Sequence, residues 1–215
     1  MKSRTNANSI IDFGCGNGKF VWNAYKNGLN IEGVEYFSEQ VSNLSREIPE
    51  VNFYTVKEFM ESDNKYDIIF MSNVLEHFTN PKAELEQLMT KLNENGLLLV
   101  EGPLEKNTSF VNYCKWKYFQ IRKLASSTYQ TSFAPVHIFY SNYKNQLSLF
   151  ESLGLNTSEY YVTENAWPYP SRVSEVKSVG DVIKYLISLI SRGIGVFSSK
   201  YGNTFIYVGE KKGNK

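Results

Sequence analysis

The stretch Ile10-Ile11-Asp12-Phe13-Gly14-Cys15-Gly16-Asn17-Gly18-Lys19-Phe20 decides how this chain is read. Its first residues, Ser9–Phe13, form a short apolar run that suits a buried strand. The run stops at three glycines in alternation. Lys19–Asn27 then reads as a helix, with Phe20, Val21, Ala24 and Tyr25 on one side and Gly28 as its stop. Glycines at a strand-to-helix crossover let the backbone turn sharply and approach a ligand closely. The helix start adds free N–H groups and a partial positive charge. Such a site receives the carboxylate of an amino acid as well as a phosphate.

The loop departs from two common nucleotide signatures. Counted from Gly14, the pattern G-x-G-x-x-G needs its third glycine at the position where Lys19 stands, and no Walker A loop is present. A nicotinamide oxidoreductase and an ATP-binding protein are therefore disfavoured. The second clue is Glu35, at the end of an expected strand Asn30–Tyr36 and 19 residues beyond Gly16. A carboxylate at that place accepts hydrogen bonds from both hydroxyls of a ribose. Tyr36 or Phe37 then lies against the base.

Working outward, strands and helices alternate, which predicts an α/β fold with a parallel sheet covered on both faces. Ser38 caps a helix carrying Val41, Leu44 and Ile48, which Pro49 ends. Val51–Val56 and Tyr66–Ser72 read as the third and fourth strands. Asn80 and Pro81 start a helix whose apolar face is Leu85, Leu88, Met89 and Leu92, with Gly96 as its stop; Leu97–Glu101 is the fifth strand. Glu105–Pro135, rich in aromatic and basic residues, is expected to be helical in part. Ser141–Leu153 reads as a helix, Ser158–Thr163 as a strand and Thr204–Glu210 as the final strand. Val179, Val182, Ile183, Leu186, Ile187 and Ile190 repeat at helical spacing. That stripe is expected in the core, with contact to a membrane surface as the alternative.

At 215 residues the chain suits a single domain, residues 1–215. Residues 1–103 would bind a cofactor, 104–140 form a lid and 141–215 complete the sheet. Twenty-three Lys and Arg balance 22 Asp and Glu, so no strong field points to nucleic acid. Cys15 and Cys114 make no disulfide framework, and no Cys/His cluster suggests zinc, so no metal is expected. Without an export leader or a run of ~18 apolar residues, the expected location is the cytoplasm, with no transmembrane segment.

D-F-G-C-G-N-G, Asp12–Gly18, followed by G-V-E-Y, Gly33–Tyr36, resembles motifs I and post-I of the class I S-adenosylmethionine-dependent methyltransferases. The resemblance continues through Tyr66–Pro81 and Leu92–Pro103, and more weakly through Val136–Leu155. It implies a Rossmann-like seven-strand fold, mostly parallel, with an antiparallel last strand. It implies S-adenosylmethionine as cofactor, with Asp12, Gly14, Gly16 and Gly18 around the methionine part. Glu35 would hold the ribose and Tyr36 would lie near the adenine. Val56 and Lys57 would sit at the adenine edge, although this chain reads T-V-K-E-F where many members carry an Asp; backbone groups or Glu58 would replace it. Ser72 and Asn73 would face the cofactor amine and methyl group. Members usually carry helices before motif I, whereas about nine residues precede Ile10 here. The substrate site is then either open or covered by residues 105–135, a partner subunit or a further N-terminal piece.

Methyl transfer to a hydroxyl is helped by a general base. The chain has two histidines, His77 after the fourth strand and His137 before the helix at Ser141, and both are candidate catalytic residues. Glu101 and Glu105 are further candidates, while Glu76 is read as a hydrogen-bonding loop residue. Residues 104–140 hold Phe110, Tyr113, Trp116, Tyr118, Phe119, Tyr129, Phe133, Phe139 and Tyr140; Trp167 and Tyr169, flanked by Pro168 and Pro170, add a later cluster. A lid packed on the domain's own core is the preferred reading of these aromatics; a surface that packs on sugar rings or lipid chains is the alternative. The expected activity is O-methylation of a small molecule, a saccharide or glycan-pathway intermediate. A lipid or quinone, an RNA, or a non-catalytic S-adenosylmethionine-binding role are the alternatives.

Overall fold

The computed structural model describes residues 9–125, 137–165 and 169–212. Seven strands form one sheet: β1 Ile10–Phe13, β2 Ile31–Glu35, β3 Phe53–Thr55, β4 Tyr66–Ser72, β5 Leu92–Pro103, β6 Asn156–Thr163 and β7 Thr204–Glu210. Their spatial order is β3-β2-β1-β4-β5-β7-β6. The first five pair in parallel, and β7 runs antiparallel to both β5 and β6. The sheet is the seven-strand arrangement expected, with its last strand reversed. Strand order switches direction at β1, which has β2 on one side and β4 on the other. In open α/β sheets that switch opens a crevice beyond the carboxyl ends of the strands.

Seven α-helices and two short 3₁₀ turns, Leu75–His77 and Val173–Glu175, complete the described residues: α1 Lys19–Lys26, α2 Ser38–Glu47, α3 Val56–Glu61, α4 Pro81–Met89, α5 Phe110–Ala125, α6 Tyr143–Glu151 and α7 Val179–Gly195. Side chains alternate across a strand, and the core divides accordingly. Ile10 and Ile68 join a cluster with Val21, Ala24, Val41 and Leu44 from α1 and α2. Ile11 and Ile69 join the larger cluster with Phe59, Leu85, Leu88 and Phe150 from α3, α4 and α6. In the larger cluster Phe150 stacks on Tyr207 with ring centroids 3.8 Å apart and planes 13° from parallel.

Three expectations about the elements change. The third strand stops at Thr55, and Val56 opens a helix that the sequence reading took for strand and loop. Thr55 and Glu58 form a reciprocal capping box: Glu58 N donates to Thr55 Oγ1 at 3.2 Å, and Thr55 N donates to Glu58 Oε2 at 2.8 Å. Helix α4 ends at Met89 rather than near Gly96. Thr90 Oγ1 donates back to the Gln87 carbonyl at 2.7 Å, Asn95 takes a left-handed φ of 61°, and Leu92 already pairs with Tyr66 as part of β5.

The third change is larger. The apolar stripe of α7 was expected in the core, yet Val179, Val182, Ile183, Leu186 and Ile190 are all exposed. The buried side is polar: Ser188 and Ser191 are fully covered. Ser191 Oγ lies 2.8 Å from Tyr201 Oη and accepts from the Val111 amide at 3.3 Å. These bonds fasten the serine edge to the domain, so the apolar edge turns outward. No helix among the described residues is long and apolar enough to cross a membrane.

Phe150→Ala is expected to destabilise the fold by about 3–5 kcal/mol in chemical denaturation, through a cavity against Tyr207. For α7 the expectation inverts the usual one. Leu186→Ser should shift the melting temperature by less than about 2 °C, whereas Ser188→Leu should cost about 1–3 kcal/mol through overpacking.

Candidate active site

The crossover after β1 is built on left-handed backbone. Gly14, Gly16 and Gly18 have φ of 81°, 57° and 68°. A Cβ on Gly14 would stand 2.4 Å from Val74 Cγ2, so that position is closed by packing as well as by φ. Gly16 differs, because a Cβ there would meet nothing within 4 Å. It faces open space, at one wall of a cleft of about 660 Å³ lined also by Glu35, Phe37, Ser38, Glu39, Gln40 and Asn43.

Glu35 ties β2 to this crossover. Its carboxylate accepts from Gly16 N at 2.8 Å through Oε2 and from Tyr36 N at 2.8 Å through Oε1. Each oxygen retains a further lone pair for a ligand hydroxyl. Gln40, which the sequence reading did not single out, donates from Nε2 to the Gly16 carbonyl at 3.1 Å. A lone Gln on an exposed helix face carries no sequence signal of that contact. The rings of Tyr36 and Phe13 meet edge to face at 6.0 Å, and burial pushes the Tyr36 hydroxyl up to about 12.

Three carboxylates gather behind the crossover. Asp12 is buried, and its carboxyl is pushed up to about 7 by burial first, then by the negative charges of Glu35 and Glu101. Ser72 Oγ donates to Glu101 Oε1 at 2.6 Å, and Asn73, at a left-handed φ of 53°, donates from Nδ2 to Ser72 Oγ at 3.2 Å. A cation entering here relieves the mutual repulsion of the three acids. S-adenosylmethionine fits that chemistry, because it carries a sulfonium and an ammonium.

Val56 and Lys57 follow β3 directly. Val56 packs against the larger core cluster, and Lys57 pairs in solvent with Glu61 at 3.9 Å. Neither lines the cleft at Gly16. Glu58, the substitute carboxylate considered from sequence, is engaged in its capping box.

The two histidines meet at the carboxyl edge. His77 ends a 3₁₀ turn, Leu75–His77, just after β4, and its ring stands edge to face with His137 at 5.1 Å. The Glu76 carbonyl accepts from the amides of Ile138 and Phe139 at 2.7 and 2.9 Å, which stitches the two segments together. His137 Nδ1 contacts the Glu105 carboxylate, while its Nε2 faces Glu76 Oε1 at 4.0 Å. With Nδ1–H donated to Glu105, Nε2 keeps its lone pair. Glu76 is buried, and burial pushes its carboxyl up to about 7 against the lowering influence of His137. Glu76, His77 and His137 offer ligand atoms within 4.8 Å of one another, a donor set that matches a divalent cation by type and proximity. Spacing along the chain did not reveal this set, because the fold assembles it from distant segments. Tyr129, Phe133, Trp167 and Pro168, expected in the aromatic cover, lie outside the described residues.

The profile of the methyltransferase domain family matches residues 2–156. The chain belongs to this family, whose class I fold binds S-adenosylmethionine. Over 107 residues it is 29% identical to the probable (S)-tetrahydroprotoberberine N-methyltransferase 2 of Papaver bracteatum, covering 46% of this chain and 30% of that protein. Over 96 residues it is 25% identical to the ubiquinone biosynthesis O-methyltransferase of Rickettsia akari (strain Hartford), covering 42% and 38%. The chain thus aligns with about a third of the length of these relatives. Its fold is similar to that of a SAM-dependent methyltransferase from Methanosarcina mazei, with a TM-score of 0.61 at 12% identity over 98% of this chain and 95% of that one. It is also similar to the magnesium protoporphyrin IX methyltransferase of Synechocystis PCC 6803 with bound SAH, with a TM-score of 0.58 at 13% identity over 94% and 74%.

Glu35→Ala is expected to weaken S-adenosylmethionine binding by about tenfold or more in calorimetry, through loss of a charged acceptor worth about 1.5–3 kcal/mol per bond. Asp12 gives a pH signature. Its folded-state value of about 7 lies above the ordinary 3.8, so the folded chain holds the proton more tightly than the unfolded one. Its contribution to stability therefore declines as pH rises from 3.8 to about 7, and Asp12→Asn removes that decline from denaturation curves. Cationic cofactor favours the ionised form, so affinity should rise with pH through about 7 and flatten in Asp12→Asn. An unchanged profile in that variant would separate Asp12 from the site.

Proposed function

We propose that the chain transfers the methyl group of S-adenosylmethionine to a hydroxyl of a small, ring-containing acceptor. The observation that carries this reading is His137, its Nδ1 engaged by Glu105 and its Nε2 turned toward Glu76 Oε1 at 4.0 Å, beside His77 at the carboxyl edge of the sheet. Bound S-adenosylmethionine supplies an electrophilic methyl carbon on a cationic sulfur that departs neutral. The chain's own residues then have three tasks. Asp12, Glu35 and Glu101 hold positive charge in the crevice. The crossover at Gly16 orients the cofactor tail, and alignment of reacting atoms contributes several kcal/mol, up to roughly 7–11. His137 Nε2 takes the hydroxyl proton, and the Glu105 carboxylate stabilises the resulting imidazolium. His77, edge-on to that ring, positions it or shares the proton.

A saccharide or glycan-pathway intermediate is the first acceptor class. Tyr140, three residues from His137, exposes half of its surface, and the Lys106 ammonium lies 5.8 Å from its ring centroid. An aromatic face with a cation suits a polyhydroxylated ring. The second reading is a lipid-borne or quinone-type phenol, favoured by the outward apolar edge of α7. Near-neutral net charge opposes RNA, and the intact glycine crossover opposes a non-catalytic partner. Residues 104–140 act as cover in this single-domain reading, and the location is cytoplasmic.

The test is S-adenosylhomocysteine release with a panel of sugar, phenol and amine acceptors. His137→Ala should lower turnover on the preferred hydroxyl by about a hundredfold or more, with cofactor affinity within about twofold of the parent. Turnover confined to amines, or unaffected by His137→Ala, contradicts the reading.

A further inference from the structure

The outward stripe of α7 does not stand alone. Helix α5 packs against α7 and also presents apolar side chains to solvent. Ile183, Leu186 and Ile190 on α7, Phe197 just beyond it, and Trp116 and Leu124 on α5 are all exposed, Phe197 and Leu124 to 89%. A surface helix in water normally shows its polar face outward and its apolar face inward. In α7 the order is reversed and held by hydrogen bonds, since the buried edge carries Ser188 and Ser191, and Ser191 is bonded to Tyr201 and to the Val111 amide. Rotation that would bury the stripe breaks those bonds.

Charge identifies the occupant. Helix α5 carries Lys115, Lys117, Arg122 and Lys123 and no acid, while α7 carries Lys184 and Arg192 against Asp181. Six bases and one acid leave these two helices five positive charges in excess, although Lys115 is half-buried toward Glu105 and Glu164 rather than on the outer face. The whole chain is +1, so everything else sums to −4. The Lys117 ammonium lies 5.1 Å from the Trp116 ring centroid and 5.8 Å from that of Tyr113. Trp, Tyr and Lys together are the side chains that settle at the headgroup level of a bilayer. A second copy of the chain would bring the same positive excess against itself, which costs association. An anionic bilayer satisfies both the apolar edge and the charge.

We propose that α5 and α7 form a docking face for an anionic lipid surface, with α7 lying in the headgroup plane and its serine edge fastened to the domain. The face adjoins the active edge: α5 starts seven residues beyond the end of β5, and Glu105 lies in that connection. Docking in this way stands independently of the acceptor reading.

The test is flotation of the purified chain with vesicles of phosphatidylcholine alone and of phosphatidylcholine with about one-third phosphatidylglycerol. The chain should float with the anionic vesicles and be released by about 0.5 M salt. Ile183→Asp with Ile190→Asp should lower the bound fraction by about tenfold or more, with melting temperature and S-adenosylmethionine affinity unchanged. Lys117→Glu with Lys123→Glu, on exposed positions of the other helix, should do the same and serves where the first variant melts early. A chain that remains unbound to both vesicle types at low salt overturns the proposal. So does equal binding to neutral and anionic vesicles, or a dimer in sedimentation velocity that Ile183→Asp with Ile190→Asp splits.

Discussion

One contact organises the active half of this chain: the Glu35 carboxylate bridging the amides of Gly16 and Tyr36. It joins the end of β2 to the crossover after β1, so the two elements proposed to grip different parts of one ligand are held by the same group. The bridge needs a backbone at Gly16 that turns left-handed and carries no side chain. It also needs β1 and β2 in parallel register, with Phe13 opposite Val34, so that both strands end at one level. The rest of the crevice follows from that register, because β4 pairs on the other side of β1 and delivers Ser72 and Asn73 to the same edge.

The arrangement has an electrostatic cost. Burying Asp12 near Glu35 and Glu101 raises its carboxyl to about 7, which is a penalty on the empty fold. A cationic ligand near Asp12 would offset that penalty. His137 is oriented by Glu105 and stitched to the turn after β4 through the Glu76 carbonyl. The family, the open glycine and the acid trio support the cofactor; the histidine pair supports a hydroxyl acceptor.

Local patterns were legible in the sequence and remote assemblies were not. The run from Ile10 to Phe20 states its own geometry, because strand, glycines and helix are contiguous. Glu35 was legible because its distance from the loop is set by one helix and one strand. The helix at Val56 was missed because a capping box between Thr55 and Glu58 outweighs the β-branched residue that seemed to extend β3. Periodicity described α7 correctly as amphipathic but not which edge is inside. That choice was made by Ser191, Tyr201 and Val111, three residues from separate segments. The meeting of Glu105 with His137 is likewise a tertiary event, because one follows β5 and the other precedes α6.

The Glu35 bridge makes one direct demand on where the nucleoside sits. A crystal structure of the chain with S-adenosylhomocysteine is the direct measurement. It should show the ribose hydroxyls within hydrogen-bond distance of the Glu35 carboxylate and the amino-acid tail passing over Gly16. A nucleoside bound elsewhere, with Glu35 still closed on both amides and the space at Gly16 empty, would contradict it.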